Sequence, residues 1–209
     1  RAIYLHSGED STSVIDGITF RNGDALEGMV HLKGASTTLR NCVFRDYYLY
    51  DQATAFLCDS ASPHLVNCDF IDNGIGCSAC KRPEEVTRLP LYVAGALKCI
   101  NNSAPVLDGC TFANNISDAE GAGGAISLQN SSITIDSSTF FNNMATEAGI
   151  GGPDPFGGAI AAFRSSVTLH ACEFDSNMAS GAGGAVYADD SSTVDIVTST
   201  FTRNRVDNY

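Results

Sequence analysis

Seven segments anchored on a phenylalanine recur along this chain of 209 residues. The anchors are Phe20, Phe44, Phe70, Phe112, Phe140, Phe174 and Phe201, spaced 24, 26, 42, 28, 34 and 27 residues apart. The base period is therefore in the mid-twenties, with two longer intervals. A second apolar run precedes most anchors, as in Gly28-Met29-Val30-His31-Leu32 and Gly95-Ala96-Leu97-Lys98-Cys99. In later repeats it sharpens to Gly123-Gly124-Ala125-Ile126, Gly157-Gly158-Ala159-Ile160 and Gly183-Gly184-Ala185-Val186. Every run is too short for an ordinary helix and is bounded by Gly, Ser, Asn or Asp, the signature of short strands joined by tight turns.

A repeat of about 25 residues built from short strands cannot bury its apolar face alone. Coiling the chain so that each strand lies on its counterpart one repeat earlier buries a continuous core. The expected fold is therefore all-β, a right-handed single-stranded parallel β-helix of about seven coils, rising roughly 30 Å at the spacing of neighbouring strands. Like residues then fall in columns. Two residues before each Phe stand Ile18, Cys42, Cys68, Cys110, Ser138, Cys172 and Ser199, on the same strand face. Five residues before Phe stands Leu or Ile, from Ile15 to Ile196. Five is odd, so only a corner in between returns this residue to the core. Gly17, Asn41, Asn67, Gly109, Ser137, Ala171 and Thr198 occupy the corner position and are small or tolerant of turns. Three residues after Phe come Asn73, Asn115, Asn143, Asn177 and Asn204, expected to form an amide ladder; Gly23 and Tyr47 break it in the first two repeats.

The pairing of Gly-Gly-Ala-(Ile/Val) with Phe-x-x-Asn resembles the repeats of polymorphic outer-membrane-protein (Pmp-like) passenger domains. The stretch from Gly95 through Phe112 resembles the wider right-handed β-helix repeats of the pectin-lyase-like superfamily. The resemblance covers nearly the whole chain and implies a secreted or surface-displayed adhesive or structural role. Carbohydrate-active enzymes share the fold, so fold alone does not assign function.

The net charge is −12 and no basic patch stands out, which argues against nucleic acid as a partner and against anionic lipid surfaces. No apolar run approaches the roughly 20 residues that span a bilayer, so no membrane insertion is expected of this segment. Residues 1–209 read as a single β-helix domain, a fragment of a longer chain, with loop insertions at 72–92 and 145–156. Protein or glycan partners would be met on those insertions, because the coils are fixed by packing. End-to-end self-assembly is a further reading, since stacked ends expose strand edges.

No catalytic, cofactor-binding or metal-binding residue is assigned. Asp189-Asp190 and Glu84-Glu85 are the best acidic pairs for glycoside chemistry, and both sit where carboxylates are ordinarily just solvated. His6, His31, His64 and His170 are scattered singly, and loop carboxylates such as Asp118 and Asp207 lack the spacing of a calcium loop. Of eight cysteines, Cys42, Cys68, Cys110 and Cys172 lie in the inward column and read as buried small residues in preference to disulfides. Cys77 and Cys80, in the first insertion, read as a local disulfide clip. The expected function is a non-enzymatic extracellular structural or adhesive module, with a polysaccharide-processing lyase or hydrolase as the alternative. Three Asn-x-Ser acceptors begin at Asn101, Asn115 and Asn130. The register places Asn115 inside the ladder and the others in a turn, so glycan is expected on Asn130 first, Asn101 second, and not on Asn115.

Overall fold

The computed structural model describes residues 1–23, 28–47, 54–74, 94–117, 123–146, 155–189 and 191–207. Among them there is no helix, and the strands form three parallel sheets of seven strands and a fourth of four. Each turn of the chain gives one strand to each large sheet in the same order. The turn that holds Phe140 places Ile126–Gln129 in the first sheet, Ser132–Asp136 in the second, Thr139–Phe141 in the third and Met144–Ala145 in the fourth. Every pairing is parallel and in register, so Phe112 lies beside Phe140 and Phe140 beside Phe174. This is a parallel β-helix.

The phenylalanine column is the spine of the core. Phe44, Phe70, Phe112, Phe140 and Phe174 are fully buried. Successive rings from Phe20 to Phe201 stack with centroids 4.5–5.0 Å apart and planes within 11° of parallel. The ring spacing is the strand spacing, so the backbone ladder sets the stacking distance. Leu39, Leu65, Leu107, Ile135 and Leu169 of the second sheet are also fully buried, as the corner argument requires.

That corner is made by the backbone. Gly17, Asn41, Asn67, Gly109, Ser137, Ala171 and Thr198 all have φ between 49° and 68°. A left-handed residue turns the strand sharply enough to bring both flanking side chains inside, at a cost for non-glycine residues that is smallest for Asn and Asp. The same device recurs twice more per turn. Asn22, Asp46, Asp72, Asn114, Asn142, Ser176 and Arg203, two residues after each Phe, have φ of 52–59°. Gly34, Ser60, Asn101, Asn130 and Arg164, after the first sheet, have φ of 49–63°.

The Gly-Gly-Ala motif is explained by the fourth sheet. A Cβ on Gly158 would lie 2.1 Å from the Gly184 carbonyl oxygen and 2.5 Å from the Met178 nitrogen. Gly124 meets Gly158 and Met144 in the same way, at 2.2 and 2.6 Å. The fourth-sheet backbone runs directly against this column, and backbone cannot swing aside as a side chain can. Gly158→Ala is therefore expected to destabilise the fold by about 1–3 kcal/mol, the range for overpacked interiors, measured by urea denaturation with an unchanged m-value.

Candidate functional site

In the middle coils the left-handed corners lead into buried small or polar residues, and these residues form three internal ladders. After the third sheet stand the asparagines. The side-chain amide of Asn115 donates to Oδ1 of Asn143 at 2.9 Å and to the Phe70 carbonyl at 2.9 Å, and its backbone N–H donates to the same Oδ1 at 3.1 Å. Asn143 repeats the pattern on Asn177, and Asn177 on Asn204. Asn73, Asn115, Asn143 and Asn177 are at most 1% exposed. Tyr47 caps the ladder, its N–H donating to Oδ1 of Asn73, and its ring fills the place where Gly23 has no side chain.

After the second sheet stand the cysteines and serines. The sequence suggested small, mostly apolar fillers here, but the structure shows a polar role. Each thiol or hydroxyl donates to the carbonyl two residues earlier, as in Cys42 to Arg40 at 3.3 Å, Ser138 to Asp136 at 2.7 Å and Cys172 to His170 at 3.3 Å. That carbonyl already accepts the corner N–H of the preceding coil, Arg40 from Gly17 at 3.0 Å and His170 from Ser137 at 2.9 Å, and the side chain supplies a second donor. Cys42, Cys58, Cys68, Cys99, Cys110 and Cys172 are all buried free thiols. Burial pushes the thiols of Cys42, Cys58 and Cys172 up, and a hydrogen bond with Cys110, then burial, does so for Cys68. Neutral, enclosed thiols are poor nucleophiles. Cys172→Ser is expected to keep the carbonyl bond and change stability by less than about 1 kcal/mol. Cys172→Val, of similar size, removes the thiol's bond to the His170 carbonyl, which still accepts the Ser137 N–H, and should cost about 0.5–1.5 kcal/mol, the net worth of one hydrogen bond; thermal denaturation of both variants checks the contrast.

After the first sheet stand serines. Ser103, Ser131 and Ser165 donate to the carbonyls of Ile100, Gln129 and Phe163 at 2.7–3.0 Å. Their oxygens in turn accept an N–H from the neighbouring coil, from Ala61 to Ser103 and from Ser131 to Ser165. Above this serine floor runs an open groove of about 410 Å³ rimmed by Asn102, Asn130, Ser132, Arg164, Ser166 and Ser191. It crosses successive coils and is the strongest candidate site among the described residues.

The three glycan acceptors are placed differently. Asn130 is exposed on the groove rim at φ 49°, and its side-chain amide makes no hydrogen bond among the described residues. Asn101 is exposed, and its amide donates to Asp59 at 2.7 Å. Asn115 is fully buried in the amide ladder.

The described carboxylates act as local acceptors. Asp189 accepts from the N–H groups of Arg164 and Ser191 at 3.0 and 3.2 Å and from the Ser192 hydroxyl at 2.6 Å. The Ser192 bond is the main reason its carboxyl is held below the usual range. Asp136 lies 3.0 Å from Nδ1 of His170 and is lowered first by the Ser137 hydroxyl, then by that histidine. Asp175 pairs with Arg203, and Asp16 with Arg40 at 3.0 Å. No group of three or more metal-ligating side chains comes together among the described residues. Cys77, Cys80, Glu84, Glu85, Asp118 and Asp190 lie outside the described residues, as does most of both insertions. From the second insertion, Phe156 is described and stacks on Tyr187 at 4.3 Å. No helix among the described residues is long and apolar enough to cross a membrane.

What sequence reading missed is the left-handed corners after the third and first sheets, the hydrogen-bonding role of the cysteine column and the serine ladder after the first sheet. The signal was present as Asn or Asp standing directly before the ladder residue, as in Asp72-Asn73, Asn114-Asn115 and Asn142-Asn143. No curated protein and no solved structure matches the chain. The family model described as a right handed beta helix region matches residues 1–208. With strands stacked in parallel over that same span, the chain belongs to the right-handed β-helix family.

Proposed function

We propose that the chain is a non-enzymatic extracellular structural or adhesive module, a rigid β-helix that presents its insertions at 72–92 and 145–156 to protein or glycan partners. The observation that carries this reading is that the polar residues recurring in register are already engaged. Asn, Ser and Cys columns saturate corner carbonyls and one another, and Asp189 holds a turn together through three donors. A general acid or base needs a carboxyl free to exchange its proton with a substrate. Buried thiols of 0–2% exposure are shielded from oxidants, which suits a secreted chain. Glycan on Asn130 and Asn101, with Asn115 bare, belongs to the same reading.

Incubation with acidic and neutral polysaccharides tests it. No turnover is expected; reproducible turnover abolished by Asp189→Asn would instead assign a polysaccharide-processing enzyme.

A further inference from the structure

The groove above the serine floor has a specific chemistry. Its rim is lined by Ser132, Ser166, Ser191, Asn102 and Arg164, with the Ser166 hydroxyl also paired to that of Thr193 at 2.7 Å, and no acidic or aromatic residue lines it. That lining suits a neutral, hydroxyl-rich ligand that both donates and accepts hydrogen bonds. It does not suit a cation, which needs carboxylates, or a base, which needs a stacking face. One such ligand has its point of attachment in the groove itself. Asn130 stands at the middle coil of the rim, between Asn102 on one side and Arg164 on the other, with its amide unengaged. Gln129 pairs in register with Phe163, so Arg164 follows beside Asn130 at the strand spacing of about 4.8 Å, and on the other side, where Asn101 and Asn102 together face Asn130, the Asn102 N–H donates to the Asn130 carbonyl at 2.8 Å.

We propose that this groove is the bed of the chain's own glycan, N-linked to Asn130. The proposal rests on the secretory reading above. The first N-acetylglucosamine lies along the rim, its acetamido carbonyl and hydroxyls within reach of Arg164 and Ser166 toward one end and Asn102 toward the other. The attachment makes binding intramolecular, so weak hydrogen bonds suffice to hold the sugar at high effective concentration. Asn101 has no such bed: its amide is held by Asp59, and it does not line the groove. Asn115 has no room for a sugar at all.

The experiment uses the full chain produced through a eukaryotic secretory pathway that attaches high-mannose glycans. Glycopeptide mass spectrometry reads site occupancy. An endoglycosidase that cuts between the two core N-acetylglucosamines then reads how tightly the Asn130 glycan is held. Release from the native protein is expected to be about tenfold slower than from the same protein unfolded, the factor for one charge-assisted hydrogen bond. Arg164→Gly and Asn102→Gly, both compatible with positive φ, are expected to recover most of that factor while the melting temperature and the release from unfolded protein stay unchanged. An Asn130 glycan released at the unfolded rate, or a slow release that neither variant changes, overturns the groove as its bed and leaves the secretory reading standing. An empty Asn130 overturns both.

Discussion

Phe140→Ala is expected to destabilise the protein by roughly 3–5 kcal/mol, the range for a fully buried aromatic truncated to alanine. Phe140 is fully buried and stacks on Phe112 at 4.8 Å and on Phe174 at 4.5 Å. Its removal opens a gap in the middle of a continuous column, and the rungs above and below cannot close on it, because their separation is set by backbone hydrogen bonds. The neighbouring residue provides the control. Phe141 is the same side chain on the opposite strand face and is 44% exposed. Phe141→Ala should stay within about 0.5 kcal/mol, as for ordinary surface changes. Urea denaturation of the two variants decides whether the strand face has been assigned correctly. Equal losses would mean that it has not.

Asn143→Ala should cost as much or more, roughly 3–5 kcal/mol from about three buried groups left unpaired at ~1–3 kcal/mol each, with partial relief by relaxation. Its Oδ1 accepts both the backbone N–H and the side-chain amide of Asn115, and its own amide donates to the Phe112 carbonyl and to Asn177. A single truncation therefore orphans two Asn115 donors and takes a donor from the Phe112 carbonyl, all in the preceding coil, and removes one of the two donors to Asn177 Oδ1 in the next. Asn143→Asp keeps the acceptor but places a carboxylate where two carbonyl-type oxygens had faced an amide donor, so it should not rescue. Asn204→Ala, at the half-exposed end of the ladder, loses only the bonds to Asn177 and Phe174 and should cost less. Differential scanning calorimetry of the three variants orders these effects. A neutral Asn143→Ala would show that the ladder carries no net stability.

Much of this architecture was legible in the residues. The spacing of two between Phe140 and Ser138 and of five between Phe140 and Ile135 demanded a corner at Ser137, and Ser137 has φ 49°. The recurrence of Asn three residues after Phe required that the amides meet, because a parallel stack in register brings identical positions together. These are consequences of chain periodicity, which a strand's alternation and a repeat length express locally. The site was less legible. The groove is made by residues from successive coils, and nothing within one coil indicates that Asn130 stands between Asn102 and Arg164.

Sequence by itself determined the fold class, the inward columns, one of the three corners and the difference in placement between Asn115 and Asn130. Only the tertiary structure decided why Gly-Gly-Ala is written as it is, since the atoms that exclude a Cβ on Gly158 belong to Met178 and Gly184, 20 or more residues away. It alone showed that the thiols of Cys42 and Cys172 serve the corner carbonyls, and that the Asn, Cys and Ser columns are one device used at three corners. The physical reason is the same in each case. Which face a side chain takes follows from local strand geometry, whereas which partner it meets follows from how successive coils stack, and that depends on atoms far away in the chain.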